Sequence, residues 1–123
     1  MISWASVPDA GDIAWVELDP VKGTEQAGRR PALVLSDALY HAVSSRAVIC
    51  PISKTARNWP FDVPLPATLR TEGVVMVDQI RTIPSRLFEV LEGVPRDLLD
   101  NVREVLAALL GMELSPAVKE EGE

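Results

Sequence analysis

The chain predicts a mostly β fold with some helix (α+β). Five or six short strands form a small, strongly bent sheet or barrel, followed by one C-terminal helix. Three observations lead there. Up to Gly93 the apolar residues fall in short runs of strand length, broken by proline, glycine and polar loops. After Pro95 their spacing turns helical. At 123 residues the chain suffices for one domain with a real core.

The first strand is expected over 11–18, where Ile13, Trp15 and Leu18 alternate with smaller or polar positions. A polar loop, Asp19 to Arg29, follows, with Pro20, Gly23 and Gly28 as breakers. A loop of that length exceeds what a hairpin needs and is commonly functional. It ends on Arg29 and Arg30, a suitable place to hold phosphate, because guanidinium is always charged and bonds phosphate oxygens in pairs. Glycines 23 and 28 would let this segment act as a mobile gate.

A second strand is expected over 31–36. One or two helical turns follow at 37–43, with Ser36 or Asp37 as the cap. His41 is expected to be a partly exposed residue of these turns. A third strand spans 46–53, with Pro51 marking an edge or bulge. A second polar loop, Lys54 to Trp59, precedes a proline-flanked strand at 61–65. The run 74–83 is rich in β-branched residues and interrupted by Asp78 and Gln79, a pattern of a kink, a bulge or a site. A last strand, 87–91, ends before Gly93. Pro95 is placed at the first helical position. Leu98, Val102, Val105, Leu106 and Leu109 form the apolar stripe, Arg103 and Glu104 face outward, and Gly111 closes the helix. Residues 112–123 read as an acidic, disordered, solubilising tail.

Composition narrows the function. No apolar run approaches the ~20 residues of a membrane span, and the N-terminus lacks a basic-then-apolar leader, so a cytoplasmic protein is expected. The single Cys50 sits in an apolar run and is expected to be a buried reduced thiol. One cysteine and one histidine are too few soft ligands for a dedicated zinc site. The net charge of −6 is uneven: −4 over 1–21, +4 over 22–86 and −6 over 87–123. A local site for a polyanion is thus compatible with an acidic protein, although charge alone favours a solvated mixed surface.

These residues resemble the MazF/PemK family of toxin endoribonucleases over about 11–111. The resemblance rests on spaced signatures in order: Gly11, Asp12 and Ile13 with Trp15 and Val16; Asp19 and Pro20 with Lys22 and Gly23; Glu25 to Gly28; Arg30 and Pro31 before Leu33 to Ser36; Pro51 with Ser53; Trp59, Pro60 and Phe61; Asp78 and Gln79. It implies one domain over 1–111, an SH3-like (PemK/CcdB-type) β-barrel of five to seven short strands with a C-terminal helix, and a homodimer. It implies metal-independent cleavage of single-stranded RNA without a cofactor. It further implies inhibition by a cognate antitoxin protein, with DNA bound only through that antitoxin, and no membrane partner.

Carried across by position, Arg30 matches the family's catalytic arginine. Ser53 stands where the family usually has a catalytic threonine, a departure that keeps the hydroxyl. Glu25 belongs to the loop motif and is a third catalytic candidate. Lys22, Gln26, Arg29, Lys54, Arg57, Trp59, Asp78, Gln79 and Arg81 are candidate RNA-binding residues. From residue types alone Arg30 equally suits a salt bridge at a strand start, and Ser53 a hydroxyl bonding the backbone. Trp59 equally suits the core, and Lys54 and Arg57 the plain surface. Two other readings stay open: a non-catalytic gyrase-binding toxin similar to CcdB, and an RNA- or antitoxin-binding module of the same fold.

Overall fold

The computed structural model describes residues 7–18, 28–85 and 88–112. Seven strands and two helices follow in chain order: β1 (Asp12–Leu18), β2 (Gly28–Val34), α1 (Ala38–Ser44), β3 (Arg46–Ser53), β4 (Asp62–Pro64), β5 (Val74–Met76), β6 (Arg81–Pro84), β7 (Glu89–Gly93) and α2 (Arg96–Leu109). A single 3-10 turn, Val77–Gln79, joins β5 to β6 at the predicted interruption. The strands are paired antiparallel in the order β4-β5-β3-β2-β1-β7, and β6 lies against β3 beside β5. Among the described residues β4 and β7 do not pair, so the sheet is bent but open where a closed barrel was one expectation.

Each face of the sheet carries its own apolar cluster. On one, Ile13, Leu33, Cys50, Val75 and Val77 are fully buried and α2 packs over them through Leu98 and Val102. On the other, Ala14, Val16, Ala32, Val34 and Ile49 are almost wholly buried, with Phe88 packed against them. Alternation along β1 and β2 divides the two sets, since successive side chains leave a strand on opposite faces.

Several boundaries differ from expectation, each for a physical reason. β2 begins at Gly28, so Arg29 and Arg30 lie within a strand and not in the loop before it. Their polarity is compatible with the ladder because they pair with Glu17 and Val16 of β1. β2 also ends at Val34, and Leu35 continues only one backbone bond, to Val48. Pro95 is the N-cap residue and α2 starts at Arg96. At the other end the expectation holds: Gly111 has φ +73, and the Gly111 and Met112 amides bond the Ala108 and Ala107 carbonyls, closing the helix in a Schellman motif. Residues 19–27, which include the expected gate and Lys22, Glu25 and Gln26, lie outside the described residues, as do Arg86, Leu87 and the tail beyond Met112.

His41 corrects the reading of α1. Its side chain is buried, at 4% exposure. Nδ1 lies 2.7 Å from the Pro8 carbonyl oxygen, which can only accept, so the ring proton sits on Nδ1. Nε2 then accepts the Ser36 hydroxyl at 2.7 Å, and the Ser36 Oγ accepts the Val48 amide at 2.8 Å. One imidazole thus ties the N-terminal lead-in to α1 and β3. The helix cap is likewise non-local. Asp37 stands at the N-cap position without a side-chain bond, and Asp9 supplies the acceptor, its Oδ1 taking the Ala38 amide at 2.9 Å. Asp12 holds Asp9 in turn, accepting its amide at 2.8 Å. Burial pushes the Asp12 carboxyl above its ordinary range, against this hydrogen bond.

Cys50 is buried as expected, and burial pushes its thiol up to about 12. Two measurements check this packing. His41→Ala leaves the Pro8 carbonyl and the Ser36 hydroxyl hydrogen without partners and should cost about 1–3 kcal/mol in denaturant unfolding. Cys50 should resist a thiol-alkylating reagent at pH 8 in the folded protein and react once denaturant exposes it.

Candidate active site

The candidate site forms where two strands part. β2 and β3 pair at Val34↔Ile49, Leu33↔Cys50 and Ala32↔Pro51, and the ladder stops there. The next hydrogen-bonding position of β2 that faces β3 is Pro31, which has no amide hydrogen to donate. On its other edge β3 pairs with β5, through Ile52↔Val75 and Ser53↔Val74. Arg30 and Ser53 stand two residues beyond the last pair, and by strand alternation each lies on the face of Ala32 and Pro51. Both side chains are half-buried. The pairing Ile49↔Arg81 puts exposed Arg81 of β6 on that same face. Two guanidiniums and a hydroxyl therefore lie along one side of the sheet, where the strands diverge.

The Ser53 Oγ accepts the Thr55 amide at 3.1 Å. This is the backbone bond expected of a hydroxyl at a strand end. It uses a lone pair and leaves the hydroxyl hydrogen available to an external acceptor. A phosphate oxygen between Arg30 and Ser53 would meet a fixed cation on one side and a neutral donor on the other.

Arg29 does something different from its neighbour. It points to the opposite face, where its Nη2 bonds Glu89 Oε1 at 2.9 Å and its guanidinium lies 5.7 Å from the centre of the Trp15 ring. The pair is exposed and contributes little stability. An open pocket of about 430 Å³ lies nearby, between Trp15, Pro31, Lys54, Arg70, Leu91 and Glu92. Glu92 closes one side of it, taking the Thr71 hydroxyl at 2.7 Å and the Thr71 and Arg70 amides at 2.8 and 3.1 Å. The Thr71 hydroxyl, followed by these amides, holds the Glu92 carboxyl below its ordinary range despite some desolvation. Neither Arg30 nor Ser53 lines this pocket.

A third group gathers at the end of the second polar loop. Arg57 is held in a fork by Asp62, at 2.8 and 2.6 Å, with Asp78 at 3.8 Å. Trp59 is 44% exposed, not core, and its indole N–H donates to Asp78 Oδ2 at 2.9 Å. Phe61 meets its ring edge-on at 5.5 Å. The tryptophan is thus a fixed, half-open aromatic face. The other Asp78 oxygen is buried without a hydrogen bond and faces only Arg57. Gln79 is exposed beside it.

The residues singled out in the sequence therefore separate into three places. Arg30, Ser53 and Arg81 share one face, Arg29 and Lys54 belong to the other, and Arg57, Trp59 and Asp78 form a linked loop cluster. The partners Glu89, Asp62 and Glu92 had no sequence signal, because only the fold brings them near the groups they hold.

Comparison with known proteins accounts for this arrangement. Residues 9–110 match the family model of the PemK-like, MazF-like toxins of type II toxin–antitoxin systems. The chain is 42% identical over 80 residues to the endoribonuclease toxin MazF of Escherichia coli, covering 65% of this chain and 71% of that one. It is 37% identical over 108 residues to the endoribonuclease PemK of Escherichia coli, covering 83% and 81% of the two chains. In a MazE–MazF crystal structure from Deinococcus radiodurans, the matching chain superposes with a TM-score of 0.80 at 46% identity, over 87% of this chain and 98% of that one. The open seven-stranded sheet, the C-terminal helix and the ordered signatures along 9–110 agree: the chain belongs to the PemK-like, MazF-like toxin family.

Proposed function

We propose that the chain is the toxin of a type II toxin–antitoxin system, an endoribonuclease that cuts single-stranded messenger RNA at short sequences in the cytoplasm. The observation that supports this reading is that Arg30 and Ser53 lie on one face just beyond the last β2–β3 pair. The curated relatives, named as endoribonucleases, support it.

Cleavage proceeds by attack of the RNA's own 2′-hydroxyl and needs neither metal nor cofactor. The 2′-oxygen loses a proton, negative charge builds on the phosphorus-bound oxygens, and the 5′-oxygen leaves with a proton. The products are a 2′,3′-cyclic phosphate and a 5′-hydroxyl. Arg30 clamps the non-bridging oxygens and stabilises the charge that develops on them. Ser53 donates its free hydroxyl hydrogen to the same phosphate. A two-histidine acid–base pair is excluded within one chain, since His41 is the only histidine and both its nitrogens are engaged in the fold. Glu25 is the further candidate for proton transfer.

Arg81, on the Arg30 face, binds a flanking phosphate; Lys22 and Gln26 are further contacts, and Arg29 and Lys54, on the other face, serve RNA that runs beyond this one. Trp59 offers its open face to a base, while Arg57, Asp78 and Gln79 read base edges. An antitoxin competes for this surface, in keeping with the MazE–MazF complexes formed by the similar Deinococcus radiodurans chain. DNA is reached only through that antitoxin. The working form is a homodimer. In support, Leu39 and Val43 of α1 are 74% and 80% exposed, an apolar surface that a second copy would cover.

RNA cleavage in EDTA tests the chemistry. The wild type should cut, Arg30→Ala should be inert, and Ser53→Ala should be slower by about 10²–10³. A deoxynucleotide at the cut site should block cleavage. No cutting by the wild type would overturn the nuclease reading, and full activity in Arg30→Ala would overturn the mechanism. Light scattering should report a dimer, and the double substitution Leu39→Glu, Val43→Glu should give a monomer.

A further inference from the structure

The end of β3 is fixed by a residue without a side chain. Ser53 pairs with Val74, the first residue of β5, and Gly73 stands immediately before it with φ +133. That conformation is essentially restricted to glycine. Space imposes the same restriction. A Cβ on Gly73 would overlap the Ser53 carbonyl oxygen, lie 2.9 Å from the Ser53 carbonyl carbon and press on Ile52 Cγ2 at 3.3 Å. Gly73 has no room to retreat freely, because its own carbonyl accepts the Leu65 amide at 2.9 Å. The backbone at 73 is therefore seated directly against the backbone of the candidate phosphate donor.

A second restraint acts on the same residue from the other side. The Thr55 amide holds Ser53 Oγ at 3.1 Å. Gly73 fixes the main chain of residue 53, and Thr55 fixes its side-chain oxygen. What is left free is the hydroxyl hydrogen, on the face that Arg30 shares. Neither residue belongs to the signatures that mark the family resemblance in this chain.

We propose that Gly73 is a positioning residue for RNA cleavage. Its close approach to the Ser53 carbonyl sets the Ser53 hydroxyl at the phosphate, with the Thr55 amide as the second restraint. The proposal rests on the reading of Ser53 as a phosphate donor. A side chain at 73 pushes residue 53 outward, and a displacement of about 1 Å at a reacting group costs on the order of 10²-fold in rate.

A double-mutant cycle tests it, using Ser53→Ala, Gly73→Ala and the combination, in the full chain. The readouts are the single-turnover cleavage rate, affinity for an RNA made uncleavable by a deoxynucleotide at the cut site, and thermal unfolding. Gly73→Ala should slow cleavage about ten- to a hundredfold and leave affinity within about twofold. In the Ser53→Ala background it should add less than about twofold, because the group it positions is already gone. An equal loss in both backgrounds would overturn the proposal, as would a wild-type rate in Gly73→Ala. If Gly73→Ala does not fold, Thr55→Pro decides instead: it removes the amide that holds Oγ, and the same non-additivity with Ser53→Ala is required. A wild-type rate in Ser53→Ala identifies the failure as that of the Ser53 reading itself. A wild-type rate in Gly73→Ala beside a slow Ser53→Ala identifies it as that of the positioning role alone.

Discussion

Strand β3 must hydrogen-bond with three others along eight residues, and this constraint shapes the molecule. Its first half lies between β6 and β2. Its last two residues pair with β5 after the ladder to β2 has stopped. The ladder to β2 stops where Pro31 faces β3, because proline cannot donate to it. On the other edge β3 passes from β6 to β5. Arg30 and Ser53 stand just beyond the last β2–β3 pair, on the face of that pair.

The surrounding contacts hold this arrangement in place. α2 covers one face over Ile13, Leu33 and Cys50, so the end of β3 is not free to shift toward it. The other face is filled by small and β-branched residues that bring the strands close together. The 3-10 turn at Val77–Gln79 turns the chain from β5 to β6 along one edge of β3, placing Asp78 where it can hold both Arg57 and Trp59. Fixed groups lose less freedom when a ligand binds. The tryptophan face and the Ser53 oxygen are both held by hydrogen bonds within the chain.

Much of this was legible in the chain, and the rest was hidden for an identifiable reason. α2 shows one buried face, so its period is written in its own residues. The break at Asp78 and the closure at Gly111 are equally local. By contrast, Gly28, Arg29 and Arg30 read as loop because they are polar or flexible, and only pairing with β1 makes them strand. The cap of α1 comes from Asp9, and the partners of His41 are Pro8 and Ser36, contacts that no spacing rule anticipates. The importance of Gly73 was invisible because it concerns a distance to Ser53 across the sheet. Sequence signatures pointed to Arg30 and Ser53, and strand alternation puts both on the face of the Ala32↔Pro51 pair.

The two arginines at the start of β2 give the register of that strand a chemical meaning. Because side chains alternate, Arg29 braces against Trp15 and Glu89 on one face while Arg30 lies on the other, the face of Ser53. A slip of β2 by one residue would exchange their roles. Net charge, hydropathy and composition would all be unchanged, yet the guanidinium beside Ser53 would come from the wrong codon. Evolution in this segment is therefore freer to exchange residues than to insert or delete one. A lineage can alter what stands at each position of β2 far more readily than it can alter the count.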